Sequence, residues 1–167
     1  MEVFGLAGWS GSGKTTLVKK LIPVLVSKGI SVSTLKHAHH SFDIDKPGKD
    51  SFEHRLAGAN EVVISSAKRW AIIHENREFE EANLKSLLAK FSEVDLVLVE
   101  GFKTESYEKL EVYREINGKP LLQQNDPNIC GVASDIQINN LEVPVFDIND
   151  IESISHFIIC HSGLIET

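Results

Sequence analysis

Basic charge is scarce in this chain: 17 lysines and arginines stand against 24 acidic residues, a net charge of −7 over 167 residues. Nucleic-acid binding needs a cationic footprint to displace phosphate counterions, so broad nucleic-acid affinity is excluded. Cysteine is nearly absent too. Cys130 and Cys160 have neither the spacing of a local metal motif nor the density of a secreted disulfide scaffold, which leaves free thiols in a reducing compartment. No apolar run approaches the roughly 20 residues that cross a bilayer, and no basic segment, apolar core or cleavage site precedes the first strand. The expectation is a cytoplasmic protein with no membrane partner. Repeats and low-complexity tracts are lacking, and the length suits one domain, 1–167, able to bury a core without staples.

What is present begins at once. The apolar run Val3 to Ala7 reads as a strand, and it delivers Gly8-Trp9-Ser10-Gly11-Ser12-Gly13-Lys14-Thr15-Thr16, which fits the phosphate-loop pattern G-x-x-x-x-G-K-[ST]. Gly8, Gly11 and Gly13 let the backbone turn sharply, so that successive N–H groups of residues 8–16 point at phosphate oxygens beside a helix N-terminus. Lys14 is placed to reach the β- and γ-phosphates, and the Thr15 hydroxyl to ligate Mg²⁺. A Gly/Ser-rich turn before an ordinary helix is the competing explanation, but the strand before and the helix after match what the mechanism needs. Nucleoside triphosphate binding is therefore the expected activity.

Further along, strands and helices alternate. A helix is expected from Lys14 to Lys28, stopped at Gly29, with Pro23 kinking it or shifting its hydrogen bonds. A strand from Ile30 to Leu35 follows, then a capped helix from Ser51 to Ala57. The β-prone runs 61–66 and 69–74 read as a hairpin. Leu84, Leu87, Leu88 and Phe91 recur at helical spacing. Asp95 to Val99 has the near-continuous apolar character of a parallel strand buried on both faces. Residues 110–115 and 120–123 flank Asn117-Gly118, a strong hairpin signal. Strands at 128–133 and 143–146 and a helix from Ile151 to Cys160 complete the pattern. The alternation predicts a three-layer α/β phosphate-loop NTPase fold with a mostly parallel sheet and β-hairpin extensions.

Phosphoryl chemistry also calls for a carboxylate near the metal, usually at the end of a buried strand. Glu100 fills that position and, with Lys14, is the expected catalytic pair. Asp45 is the next carboxylate in line as a metal ligand. Lys36 follows the second strand at the sheet edge where open α/β folds bind ligands, and its charge matches a polyphosphate. It opens the segment Lys36-His37-Ala38-His39-His40, followed by Asp43 and Asp45. The three imidazoles suit phosphate, substrate or Mg²⁺-water contacts, a transition metal, or plain loop structure. The N/T-K-x-D segment of many guanine-specific proteins is missing. Asp135, ending a late strand, is its nearest topological substitute; a simple strand-end turn explains it equally well.

Together these residues resemble the molybdopterin-guanine dinucleotide biosynthesis protein B family (MobB) over nearly the whole chain. The likeness rests on the phosphate loop at 8–16, Lys-His-x-His-His at 36–40, Asp-x-Asp-Lys-Pro-Gly-Lys-Asp-Ser at 43–51 and Ala57-Gly58-Ala59. It continues through Arg69-Trp70-Ala71, Leu98-Val99-Glu100-Gly101-Phe102-Lys103, Ala133-Ser134-Asp135 and Asp147-Ile148-Asn149-Asp150. The resemblance implies GTP as the nucleotide, with Mg²⁺, and weak hydrolysis. It also implies a role in molybdenum-cofactor biosynthesis beside a MobA-type molybdopterin guanylyltransferase. Molybdopterin or its molybdenum form is then a further partner; which of metal, phosphate or pterin His37, His39 and His40 meet is left open by the resemblance. Family members are homodimers joined through β-segments; by position the candidates here are 61–74 and 110–123. A small-molecule kinase is the first alternative. It is disfavoured because the four arginines, Arg55, Arg69, Arg77 and Arg114, form no pair in a lid-like loop. A metal-delivery GTPase using the histidines is the second.

Overall fold

The computed structural model describes residues 1–38, 42–77, 81–102 and 105–164. The chain forms two compact units, one from residues 1–37 with 91–167 and the other from residues 38–90.

The larger unit is built on six strands: β1 (Glu2–Ala7), β2 (Val32–Lys36), β5 (Leu96–Glu100), β6 (Lys109–Tyr113), β7 (Ile129–Ser134) and β8 (Val145–Asp147). They run in the order β2-β5-β1-β6-β7-β8, and every neighbouring pair is parallel. Leu96 to Val99 of β5 is at most 1% exposed, as an apolar run between two neighbours and under cover on both faces should be. Two helices, α1 (Lys14–Ser27) and α4 (Ile151–His161), pack on each other and on the sheet. Their inward residues, Leu17, Leu21 and Leu25 with Ile154, Ile158 and Ile159, recur at helical spacing. Burial of each such side chain is worth about 1.5–3 kcal/mol, and together they fix the helix that follows the phosphate loop. α1 runs through Pro23 as one element, because that packing outweighs one lost hydrogen bond.

The smaller unit holds α2 (Asp50–Leu56), the two-stranded antiparallel sheet of β3 (Glu61–Ser65) with β4 (Trp70–His74), and α3 (Leu84–Leu88). The hairpin expected at 61–74 is therefore formed. One of its faces carries Val63, Trp70 and Ile72, which are 63%, 64% and 44% exposed.

The second expected hairpin, at 110–123, is not. Its first half is β6, an interior strand paired in parallel with both β1 and β7. After Arg114 the chain makes one 3-10 turn at Glu115–Asn117 and another at Gln123–Asn125. The reason lies in Glu111, which is fully buried and accepts hydrogen bonds from the N–H groups of Leu122 and Gln123, both at 2.9 Å. A side chain thus takes the amides that a hairpin partner would need. Asn117-Gly118 marks a left-handed turn, as its composition suggests, but the turn ends a 3-10 segment. With both edges paired, β6 also has no free edge to offer a second subunit.

Candidate functional site

Parallel strands place all their carboxyl ends at one edge, and β1, β2, β5 and β6 bring the chemistry-bearing residues together there. The sheet grows in opposite directions from β1, with β2 and β5 laid on one side and then β6, β7 and β8 on the other. Such a reversal opens a crevice above the sheet. The phosphate loop lies at its centre. Gly8 has φ 144°, and a Cβ there would lie 2.5 Å from the Val112 carbonyl oxygen, so only glycine lets β1 turn so close beside β6.

Within the loop, Lys14 Nζ donates to the carbonyl oxygens of Gly8 at 2.8 Å and Trp9 at 3.0 Å. Its ammonium therefore arches back over the loop. Ser10, Gly11, Thr15 and Thr16 are exposed. Ser12 is 1% exposed, and its Oγ has no hydrogen-bond partner among the described residues.

Glu100, the last residue of β5, pairs in register with Leu6 on one side and Lys36 on the other. The Thr15 hydroxyl donates to its carboxylate, 3.3 and 3.2 Å from Oε1 and Oε2. Lys36 Nζ lies 3.9 Å from Oε1. Three residues expected to share a site from widely separated parts of the chain thus meet in one place.

The turn after Glu100 is shaped around it. A Cβ at Gly101, whose φ is 106°, would run into His37 Cβ. Phe102 is left-handed at φ 47°, a conformation that costs a bulky residue about 1–3 kcal/mol and is stored most often at functional sites. The Tyr107 hydroxyl stabilises the turn by donating to the Gly101 carbonyl at 2.8 Å. The His37 ring packs on Phe102 with centroids 4.7 Å apart, and its backbone N–H donates to the Glu100 carbonyl at 2.8 Å. His39 and His40 lie outside the described residues.

Asp45 belongs to the smaller unit, and there its carboxylate is engaged by Arg55. The guanidinium Nε and NH2 reach its two oxygens at 3.1 and 2.7 Å, and the same guanidinium bonds Asp43 at 3.0 Å and Glu75 at 2.6 Å. The Arg55 hydrogen bond holds the Asp45 carboxyl below its ordinary range. As described, this side chain cross-links loop, helix and hairpin end.

Asp135 follows β7, and its Oδ1 accepts from the Glu115 N–H at 3.0 Å. It lines a groove of about 510 Å³ with Ser134, Ile136, Gln137, Phe146 and Asp147, at the carboxyl ends of β7 and β8. The groove is on the β6 side of the phosphate loop.

Sequence reasoning missed Arg114. One residue beyond β6, it donates from Nε to the Ser12 carbonyl at 3.2 Å and lies beside Gly13. Trp9 was also passed over. Its indole N–H donates to the Pro120 carbonyl at 2.8 Å, and the Lys119 ammonium sits 5.8 Å from its ring centroid. The loop after β6 therefore braces the phosphate loop. No local signal marks this, since the contact depends on β6 lying next to β1.

Three features of the site fit a Mg²⁺-nucleotide. Thr15 and Glu100 form a hard oxygen donor pair, Ser12 carries an unpartnered buried hydroxyl, and Lys14 and Lys36 supply cations at the same edge. Among the described residues no helix is long and apolar enough to cross a membrane.

Comparison with known proteins agrees with this geometry. The family model described as "Molybdopterin guanine dinucleotide synthesis protein B" matches residues 3–135. The molybdopterin-guanine dinucleotide biosynthesis adapter protein of Escherichia coli K12 is 44% identical over 162 residues, covering 95% of this chain and 92% of that protein. Its counterpart from Haemophilus influenzae is 40% identical over 160 residues, covering 95% and 88%. A crystal structure of molybdopterin-guanine biosynthesis protein B superposes with a TM-score of 0.75 at 28% identity, over 95% of this chain and 97% of that one. With a fold, a phosphate-loop edge and sequence relatives all in accord, the chain belongs to the molybdopterin guanine dinucleotide synthesis protein B family.

Proposed function

We propose that this protein is a GTP-binding adapter in the biosynthesis of molybdopterin-guanine dinucleotide, with slow intrinsic hydrolysis, acting in the cytoplasm beside the nucleotidyltransferase that joins GMP to molybdopterin. Membership of the family supports the role in cofactor biosynthesis. The observation that carries the nucleotide part is the convergence of Thr15, Glu100 and Lys36 beside the phosphate loop.

In this reading the amides of residues 8–16 and Lys14 hold the triphosphate, and Thr15 and Glu100 hold Mg²⁺. The metal, when bound, neutralises charge that develops on the phosphates. Lys14 exchanges its two carbonyl partners for phosphate oxygens, a stronger charge-assisted pairing. Lys36 adds a second cation beside Glu100. The groove at Asp135 takes the base, with the carboxylate oxygen not bonded to Glu115 available to accept from guanine.

Molybdopterin or its molybdenum form is the cargo that adapter and transferase share. The protein acts as a homodimer, and the support for this is the exposed apolar face of the β3–β4 hairpin, whose strand edges, unpaired among the described residues, suit a second copy.

The experiment is conversion of molybdopterin to its guanine dinucleotide by purified transferase, with and without this protein and its Lys14→Ala variant. Wild type should raise the yield in the presence of GTP and Mg²⁺ while Lys14→Ala does not. Equal nucleotide affinity of the two proteins by calorimetry would remove the central claim, and a monomer by light scattering at micromolar concentration would remove the dimer.

A further inference from the structure

The opposite edge of the sheet holds a cluster that the nucleotide chemistry does not use. Glu108 immediately precedes β6, Cys130 is the second residue of β7, and His161 ends α4. One ligand atom from each lies within 4.8 Å of the others. Glu108 Oε2 and His161 Nδ1 are 3.0 Å apart.

Several features hold the three side chains in place. Between β6 and β7 the register shifts: Lys109 pairs with Ile129 but Leu110 with Gly131, so Cys130 is the extra residue of a β-bulge. A bulge re-aims a side chain that regular alternation would send to the other face, and Cys130 accordingly packs against the same core as α1 and α4. The His161 ring rests on Phe157, with centroids 4.2 Å apart, and Phe157 in turn contacts Phe146 and Phe4. The Glu108 carbonyl accepts from the Gly5 N–H at 2.8 Å, which ties its backbone to β1. All three ligands thus stand on rigid elements, the arrangement a metal centre needs.

We propose that Glu108, Cys130 and His161 form a three-ligand site for a divalent cation of the zinc class, with water as the fourth ligand. Thiolate, imidazole and carboxylate together select such an ion over Mg²⁺ or Ca²⁺, which prefer oxygen alone. Zinc bonds of about 2.0–2.3 Å in a tetrahedron leave ligand atoms roughly 3.3–3.6 Å apart, a spacing the cluster reaches by small side-chain rotations. The carbonyl ends of the last turn of α4 add favourable negative potential.

The Cys130 thiol donates to the Lys109 carbonyl at 3.4 Å, so it carries a proton before metal arrives. On binding, the S–H bond breaks, a sulfur–metal bond forms and the proton passes to solvent. The site joins β6, β7 and α4 at the edge remote from the phosphate loop. Its role is a structural clamp, and it is independent of the nucleotide reading.

The test uses the full chain, reduced and metal-free. Zn²⁺ is titrated by calorimetry in two buffers of different ionisation enthalpy, and Co²⁺ by absorption, in wild type, Cys130→Ser, Glu108→Gln, His161→Gln and Cys160→Ser. Wild type should bind one Zn²⁺ with proton release, gain unfolding temperature and show a sulfur-to-cobalt charge-transfer band. Cys130→Ser should lose the band, and Glu108→Gln and His161→Gln should each weaken Zn²⁺ at least about tenfold. Cys160→Ser should match wild type. A band that survives Cys130→Ser or vanishes with Cys160→Ser overturns the proposal. So does Zn²⁺ affinity unchanged in His161→Gln, whose position at an exposed helix end leaves folding intact. Binding through the histidines after Lys36 would show no sulfur band, and would also overturn it.

Discussion

Replacing Glu100 by glutamine separates a structural from a chemical role for this carboxylate, because the two predict very different magnitudes. Glu100 is 3.9 Å from the Lys36 ammonium, and its side chain is 17% exposed against 61% for Lys36. At an effective dielectric near 20 the gross attraction is about 4 kcal/mol. The exposed lysine is screened by water and salt, so the net value falls to about 1 kcal/mol or less. Glutamine keeps the size and still accepts from the Thr15 hydroxyl. The unfolding temperature should therefore fall by no more than about 2–4 °C. If Glu100 stands beside the metal and the attacking water as proposed, its charge there is another matter. Loss of one preorganised electrostatic group costs about 10²–10³ in turnover, while nucleotide affinity should stay within roughly tenfold. The assay is phosphate release at saturating GTP and Mg²⁺, read beside calorimetric affinity and thermal unfolding. Turnover within about threefold of wild type, with affinity unchanged, would show that Glu100 serves only to hold Lys36 and Thr15, and the chemical role would have to pass to another carboxylate.

Thr15→Ala leaves the loop amides intact but removes one of the two proposed metal ligands, so its loss of GTP affinity should be about tenfold or more greater with Mg²⁺ than with chelator; equal losses in both conditions refute the ligand role. Asp135→Asn should weaken GTP by about 1–3 kcal/mol as a donor meets a donor, and should move preference toward xanthosine triphosphate, which carries an oxygen where guanine has its amino group. An unchanged ratio in competition binding makes Asp135 only the residue that caps Glu115. In the smaller unit, the Arg55 hydrogen bond lowers the Asp45 pKa below its ordinary value of 3.8. The pair therefore stabilises fully above that ordinary value, and the contribution disappears as pH falls through the lower folded value. Trp70 fluorescence in a Trp9→Phe background should show this acid limb in wild type and not in Asp45→Asn; coincident acid transitions would contradict it.

Which residues meet at the carboxyl edge of the sheet was mostly legible because the signals are local. A phosphate loop is one contiguous segment whose glycines, lysine and threonine declare their roles by spacing. Leu96 to Val99 announces a buried parallel strand by composition, and Glu100 inherits its place from that strand's end. Lys36 follows by the same reasoning. The 61–74 hairpin is likewise written in two β-prone runs with a short link. The 110–123 hairpin misled because Asn-Gly reports a left-handed turn and not what the turn connects. Glu111 decided the outcome by taking the amides of Leu122 and Gln123 into a buried carboxylate, and no sequence window shows that.

What the sequence by itself determined is the order of elements outside 110–123, the phosphate-loop motif and the residues that end strands at the carboxyl edge, since these depend on contacts within a few residues. What only the tertiary structure decided is which distant residues meet. Arg114 and Trp9 acquire partners because β6 lies against β1, a consequence of strand order. Glu108, Cys130 and His161 come together through a bulge and a helix end, so the cysteine that looked isolated in the chain stands beside an imidazole and a carboxylate in the fold. Periodicity and spacing record which way a side chain faces along its own element. The choice of neighbour is made by the packing of α1 and α4 on the sheet and by the register of parallel strands, interactions that join residues far apart along the chain.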